Sequence, residues 1–117
     1  MDIKRLYEEV GGDYDGVAKR FGSVAMIERF AVKFLSDDSA ESLRRAFESG
    51  DVDSAFRSAH TLKGLALNLG FTELGENAAV LTEILRKKTF IGSEEAYKNT
   101  LRAYDRLSSA IKRYSDK

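Results

Sequence analysis

Residues 51–70 read DVDSAFRSAHTLKGLALNLG, and this stretch decides the fold. Asp51 suits a helix N-cap and Gly70 a helix end, with no proline between them. At about 100° per residue, with His60 set at zero, Ala55, Ala59, Leu62, Ala66 and Leu69 fall between roughly 180 and 260°. That arc is the core side, so His60 points outward. Its nearest neighbours on the wheel are Phe56, Leu67, Lys63 and Gly64, with Arg57 and Asn68 further round.

Working outward, Thr72 is placed to cap a helix carrying Leu74, Ala78, Leu81, Ile84 and Leu85. This helix ends near Arg86-Lys87-Lys88, where cations complement a helix C-terminus. Ser93 with Glu94 and Glu95 opens a last helix through Tyr97, Leu101, Tyr104, Leu107, Ile111 and Tyr114. Upstream, Ser23 caps a segment with Met26, Ile27, Phe30, Ala31, Phe34 and Leu35 at helical spacing. Asp38 with Glu41 fits a capping box that would break this segment, yet Leu43, Ala46 and Phe47 resume its stripe. The expectation is one long helix, kinked near Asp37-Asp38-Ser39 and ending at Gly50. A short helix with Ile3, Leu6 and Val10, closed by Gly11-Gly12, and a turn around Val17 and Phe21 complete the N-terminus. The predicted fold is all-α: an antiparallel four-helix bundle with short additional N-terminal helices, one domain over residues 1–117.

Composition narrows the function. The 117 residues are enough for a real core without staples. Nineteen Lys plus Arg balance nineteen Asp plus Glu, so no net field recruits nucleic acid or an anionic membrane surface. Without cysteine there is neither a disulfide framework nor a thiolate metal site, and cytoplasmic residence is the default. One histidine makes a poor first shell for a metal enzyme. No apolar run approaches the roughly 20 residues of a membrane span, and no signal peptide is evident.

His60 is the residue with chemistry to offer. An imidazole is nucleophilic near neutral pH and can carry a phosphoryl group, and a cation one turn away, Lys63, can steady the charge that group brings. The bland readings stand beside this one. A lone histidine is commonly a surface or core residue, Lys63 a solvated charge, Asn68 an exposed amide, and Phe56 and Leu67 can be covered by a segment such as the N-terminal helix. Gly64 is harder to explain away, because glycine inside a helix costs about 1 kcal/mol relative to alanine. Its presence beside His60 suggests close approach by another molecule. Gly70 is explained by helix termination, and Gly75 by packing near a helix start.

The run His60-Thr61-Leu62-Lys63-Gly64 with Gly70 resembles the signature of histidine-containing phosphotransfer (HPt) domains of two-component phosphorelays. Gly11-Gly12-Asp13, the Phe30 to Phe34 helix, Leu43 with Phe47, and Glu48-Ser49-Gly50-Asp51 extend the likeness, which covers roughly Gly11 to Arg86. The resemblance implies a four-helix bundle in which His60 accepts a phosphoryl group through Nε2 from an aspartyl phosphate on a receiver domain and passes it on. It assigns Lys63 to holding the phosphoryl group, Gly64 to admitting the receiver, Leu62 to inward packing, and Arg86 to a basic position facing the histidine from the next helix. Leu65 and Leu67 depart from the pattern, which commonly has small residues there.

The expected function is therefore a phosphorelay intermediate, a phosphoryl carrier without kinase activity of its own. Receiver domains of response regulators or hybrid sensor kinases are its partners, met through Phe56, Arg57, Leu67, Asn68 and Arg86. No intrinsic cofactor or metal is expected, magnesium being held by the receiver, and a monomer keeps the active face free. Met1 followed by a helix favours a free-standing module. The alternative is a phosphorylation-independent helical interaction module with a diverged HPt site, motivated by Leu65 and Leu67. A nucleic-acid adaptor using Arg86-Lys87-Lys88 is a distant third, because zero net charge gives little counterion-release drive.

Overall fold

Helix capping divides the chain into seven α-helices in the computed structural model, which describes residues 1–116. They are α1 (Ile3–Glu9), α2 (Tyr14–Phe21), α3 (Val24–Phe34), α4 (Ser39–Ser49), α5 (Val52–Asn68), α6 (Thr72–Leu85) and α7 (Glu94–Ser115). Asp2, Asp13, Ser23 and Asp51 each accept a backbone N–H from three residues on, satisfying a donor that the first turn leaves free. Gly50 ends α4 at φ 72°, a conformation that costs a side chain but not glycine.

The single helix expected from Ser23 to Gly50 is instead two, α3 and α4. Backbone N–H groups of Leu35, Ser36 and Asp37 turn back to acceptors three residues earlier, tightening and closing α3. The Asp37 carboxylate then accepts from Ser39 N at 3.0 Å and starts α4. Asp38 makes no side-chain cap bond, so the Asp38/Glu41 capping box does not form. Two further caps differ from expectation. Phe71 rather than Thr72 precedes α6, and the Thr72 hydroxyl donates to the Gly70 carbonyl. Ser93 does precede α7, but its hydroxyl donates backwards to Phe90 O at 2.6 Å.

Two hydrophobic clusters explain why a broken helix still completes a bundle. In one, Ile27, Ala31 and Phe34 of α3 join α1, α2, the C-terminal half of α5 and Leu107 and Ile111 of α7. In the other, Leu43 and Ala46 of α4 meet Ala55 and Ala59 of α5, Leu81 and Leu85 of α6, and Ala96 of α7. Helices α5, α6 and α7 thus run through both clusters, while α3 and α4 supply the fourth side in turn. Between α4 and α7 the gap is filled by Phe47 stacked on Tyr97, centroids 3.8 Å apart, and by Arg44 paired with Asp105 at 2.9 Å.

The N-terminal helices lock the corner between α5 and α6. Buried Tyr7 donates its hydroxyl to Leu69 O at 2.6 Å and stacks on Phe71. Asp13 N donates to Gly70 O at 2.8 Å, and a Cβ on Gly70 would come within 2.8 Å of Asp13 O. Gly70, at φ 74°, therefore does more than end a helix, because it also lets the α1–α2 turn approach. Seated at this corner, α1 packs on α2, α3 and α7 and leaves the outward face of α5 uncovered. No helix among the described residues is long and apolar enough to cross a membrane.

Candidate functional site

The inward arc of α5 forms as its sequence requires, with Ala55, Ala59, Leu62 and Ala66 fully buried and Leu69 nearly so. His60 is exposed on the opposite face. One turn before it, half-buried Phe56 lies nearly parallel to the imidazole, with ring centroids 6.0 Å apart and planes 12° apart. Arg86, at the C-terminal end of α6, sets its guanidinium 5.1 Å from the Phe56 ring centre. This cation–π contact ties the end of α6 to the histidine helix.

Arg86 is also held by Glu83, one turn earlier on α6. Its Nη2 donates to Glu83 Oε2 at 3.0 Å and its Nε to Glu83 Oε1 at 3.2 Å, a two-pronged pair. Above all the Arg86 hydrogen bond, and behind it the charges of Arg86, Lys63 and His60, hold the Glu83 carboxyl below the usual carboxylate range. Lys63 is half-buried on α5 and pairs with no carboxylate among the described residues. Beside it, nothing lies within 4 Å of where a Cβ on Gly64 would stand. The fold itself makes no use of the room that this glycine leaves.

The remaining expected contact residues divide. Leu67 is 42% exposed and its side chain leans over Gly75 of α6. Leu65 turns into the core cluster. Arg57 donates to Ser54 Oγ at 3.0 Å and borders a groove toward α4 with Arg45 and Ser49. Asn68 ends α5, about 12 Å along the axis from His60. There its carbonyl accepts from Arg20, and its side chain borders a groove of about 480 Å³ with Phe21, Phe30 and Lys33. His60, Phe56, Lys63, Glu83 and Arg86 therefore form one group, and Arg57 and Asn68 lie outside it.

Glu83 escaped the sequence reading, although its spacing to Arg86 on a helix is that of an ion pair. Which way that pair faces depends on how α6 packs against α5, and no local pattern encodes this. Among the described residues no group of three or more His, Cys, Asp or Glu side chains is placed to hold a metal ion.

The sequence model of the Hpt domain matches residues 35–113, more than half of the chain. This protein belongs to the Hpt domain family. The match takes in α4, α5, α6 and most of α7, and so starts later and runs further than the stretch from Gly11 to Arg86 in which the likeness is visible by eye. In this Hpt domain the helices α1, α2 and α3 lie outside the matched span. No curated protein and no solved structure matches the chain. Membership brings the family's general role, histidine phosphotransfer in phosphorelays, and the helical bundle on which it is built.

Proposed function

We propose that this Hpt domain is a phosphorelay intermediate in which His60 accepts a phosphoryl group from the aspartyl phosphate of a receiver domain and passes it to another. The open space at Gly64, beside an exposed His60, carries the proposal. A helix-interior glycine costs about 1 kcal/mol, and no part of the fold occupies the room it leaves, so an incoming partner is the beneficiary. Half-buried Lys63 is one turn from His60 and free of any carboxylate partner among the described residues, which leaves its charge available to a phosphoryl group.

In the forward step the lone pair of His60 Nε2, with the ring proton on Nδ1, attacks phosphorus. The bond from phosphorus to the aspartyl oxygen breaks and its electron pair returns to the carboxylate. Two unit charges 4 Å apart interact by about 1 kcal/mol in water and about 4 kcal/mol at an effective dielectric near 20. Lys63 thus gains its leverage when the receiver excludes water, and the chemistry belongs to the complex. A magnesium ion, where needed, is held by the receiver's carboxylates. The domain acts as a carrier rather than a kinase, as a cytoplasmic monomer, with receivers of response regulators or hybrid sensor kinases as partners.

Leu65 in the core and Leu67 laid against Gly75 give both bulky residues a packing role in the fold. The departures from the family pattern are therefore compatible with phosphotransfer. Incubation with phosphorylated receivers and magnesium is expected to put an acid-labile, alkali-stable phosphate on the protein, absent from His60→Gln. Failure of every receiver to label a folded protein, with receiver binding unaffected by His60→Ala, would instead establish a phosphorylation-independent interaction module.

A further inference from the structure

We propose that Glu83 is a positioning residue that holds Arg86 against the Phe56 ring in the resting protein and so sets how readily phosphorylated His60 gives up its group. The inference rests on the phosphorelay reading and concerns a residue outside the motif around His60. Its basis is a chain of contacts: Glu83 grips Arg86 through two nitrogens, Arg86 covers Phe56, and Phe56 lies parallel to His60. Arg86 and His60 therefore both border the Phe56 ring, and the charge of Arg86 is already matched by a carboxylate.

A phosphoryl group on His60 changes the balance. It is a second, more highly charged anion on the same face, and it competes with Glu83 for the guanidinium, which pairs well with either group through two N–H donors. While Glu83 keeps Arg86, the phosphoryl group lacks that cation and also meets the field of the carboxylate. Both effects raise the free energy of the phosphorylated state and favour transfer outward. In that step the Nε2–P bond breaks, its electron pair stays on Nε2 of a ring protonated at Nδ1, and a P–O bond forms to the receiver aspartate. The free-protein pair is solvent-exposed, Arg86 at 54% and Glu83 at 63%, so it contributes little to folding. Its influence grows where a docked receiver removes water.

The test is the equilibrium of phosphoryl exchange between His60 and a receiver that labels the wild-type protein, read by ³¹P NMR. Glu83→Gln is expected to shift it toward phosphohistidine by about three- to tenfold, and Arg86→Ala to shift it toward the receiver by a similar factor. Glu83→Asp, which keeps the charge, should stay nearer the wild type, and the double variant Glu83→Gln/Arg86→Ala should fall between the singles. Melting temperatures of all four variants should match the wild type. Labelled protein whose equilibrium ignores Glu83→Gln, or moves the same way for Glu83→Gln and Arg86→Ala, overturns the role of Glu83 and leaves the relay standing. Absence of any phosphohistidine in the folded wild type removes both.

Discussion

Leu67 fills the space in front of Gly75: a Cβ added to Gly75 would lie 2.7 Å from Leu67 Cγ and 3.4 Å from Leu67 N. The bulky residue on α5 and the absent side chain on α6 are one packing solution. Gly75→Ala alone should therefore destabilise the fold by about 1 kcal/mol, through the displacement of Leu67. In a Leu67→Ala background the same change should stabilise by up to about 1 kcal/mol, because only the helix preference of alanine remains. Urea unfolding of the four proteins in this cycle measures the coupling, and an effect of the same sign in both backgrounds contradicts it.

Gly64 is the opposite case, with nothing near its missing Cβ. Gly64→Ala should raise stability by about 1 kcal/mol. Gly64→Gln should keep the fold yet slow transfer from a receiver by about 10- to 100-fold, since a small displacement of reacting groups is enough for such a loss. Thermal unfolding beside single-turnover transfer separates the two effects, and unimpaired transfer in Gly64→Gln would remove this face from the docking surface.

Lys63 is expected to act on the transferring charge more than on docking. Lys63→Ala should slow transfer by about 10- to 100-fold while receiver Kd, set by the surrounding surface, changes by less than about threefold. Equal losses in rate and affinity would make Lys63 a docking residue only.

Tyr7 ties stability to alkaline pH. Burial above all pushes its phenol well beyond the usual tyrosine range, with the Arg20 charge opposing and Tyr14 adding. Because the folded-state pKa is raised above the unfolded value of 10.0, the stabilisation is complete below pH 10 and is lost as pH climbs toward the folded pKa. Each pH unit in that window should cost at most about 1.4 kcal/mol from this one proton. Tyr7→Phe should cost about 1 kcal/mol at neutral pH, as Leu69 O loses its donor. The same variant should flatten the fall in stability above pH 10, and denaturant titrations at pH 8 to 11 test both parts.

Much of the architecture was legible because helices write their periodicity locally. The arc of Ala55, Ala59, Leu62, Ala66 and Leu69 named the buried face of α5, and with it the outward direction of His60. The break between α3 and α4 was less legible, because Asp37, Asp38 and Ser39 offer competing caps over an uninterrupted apolar stripe. Which carboxylate takes which N–H is settled by backbone geometry over a few residues. Arg57 illustrates a similar limit, since a wheel gives direction around the axis but not the partner that draws a side chain along it.

The sequence by itself determined an all-helical chain, the core face of α5, and an exposed histidine flanked by Lys63 and a helix-interior glycine. All of these follow from spacing within one helix. Only the tertiary structure decided that Leu67 rests on Gly75, that Tyr7 and Asp13 lock the corner at Gly70, and that Glu83 and Arg86 reach the His60 face. Each of these pairs residues on different helices, so its geometry depends on the rotation and offset at which two helices pack, which is fixed by the whole core at once.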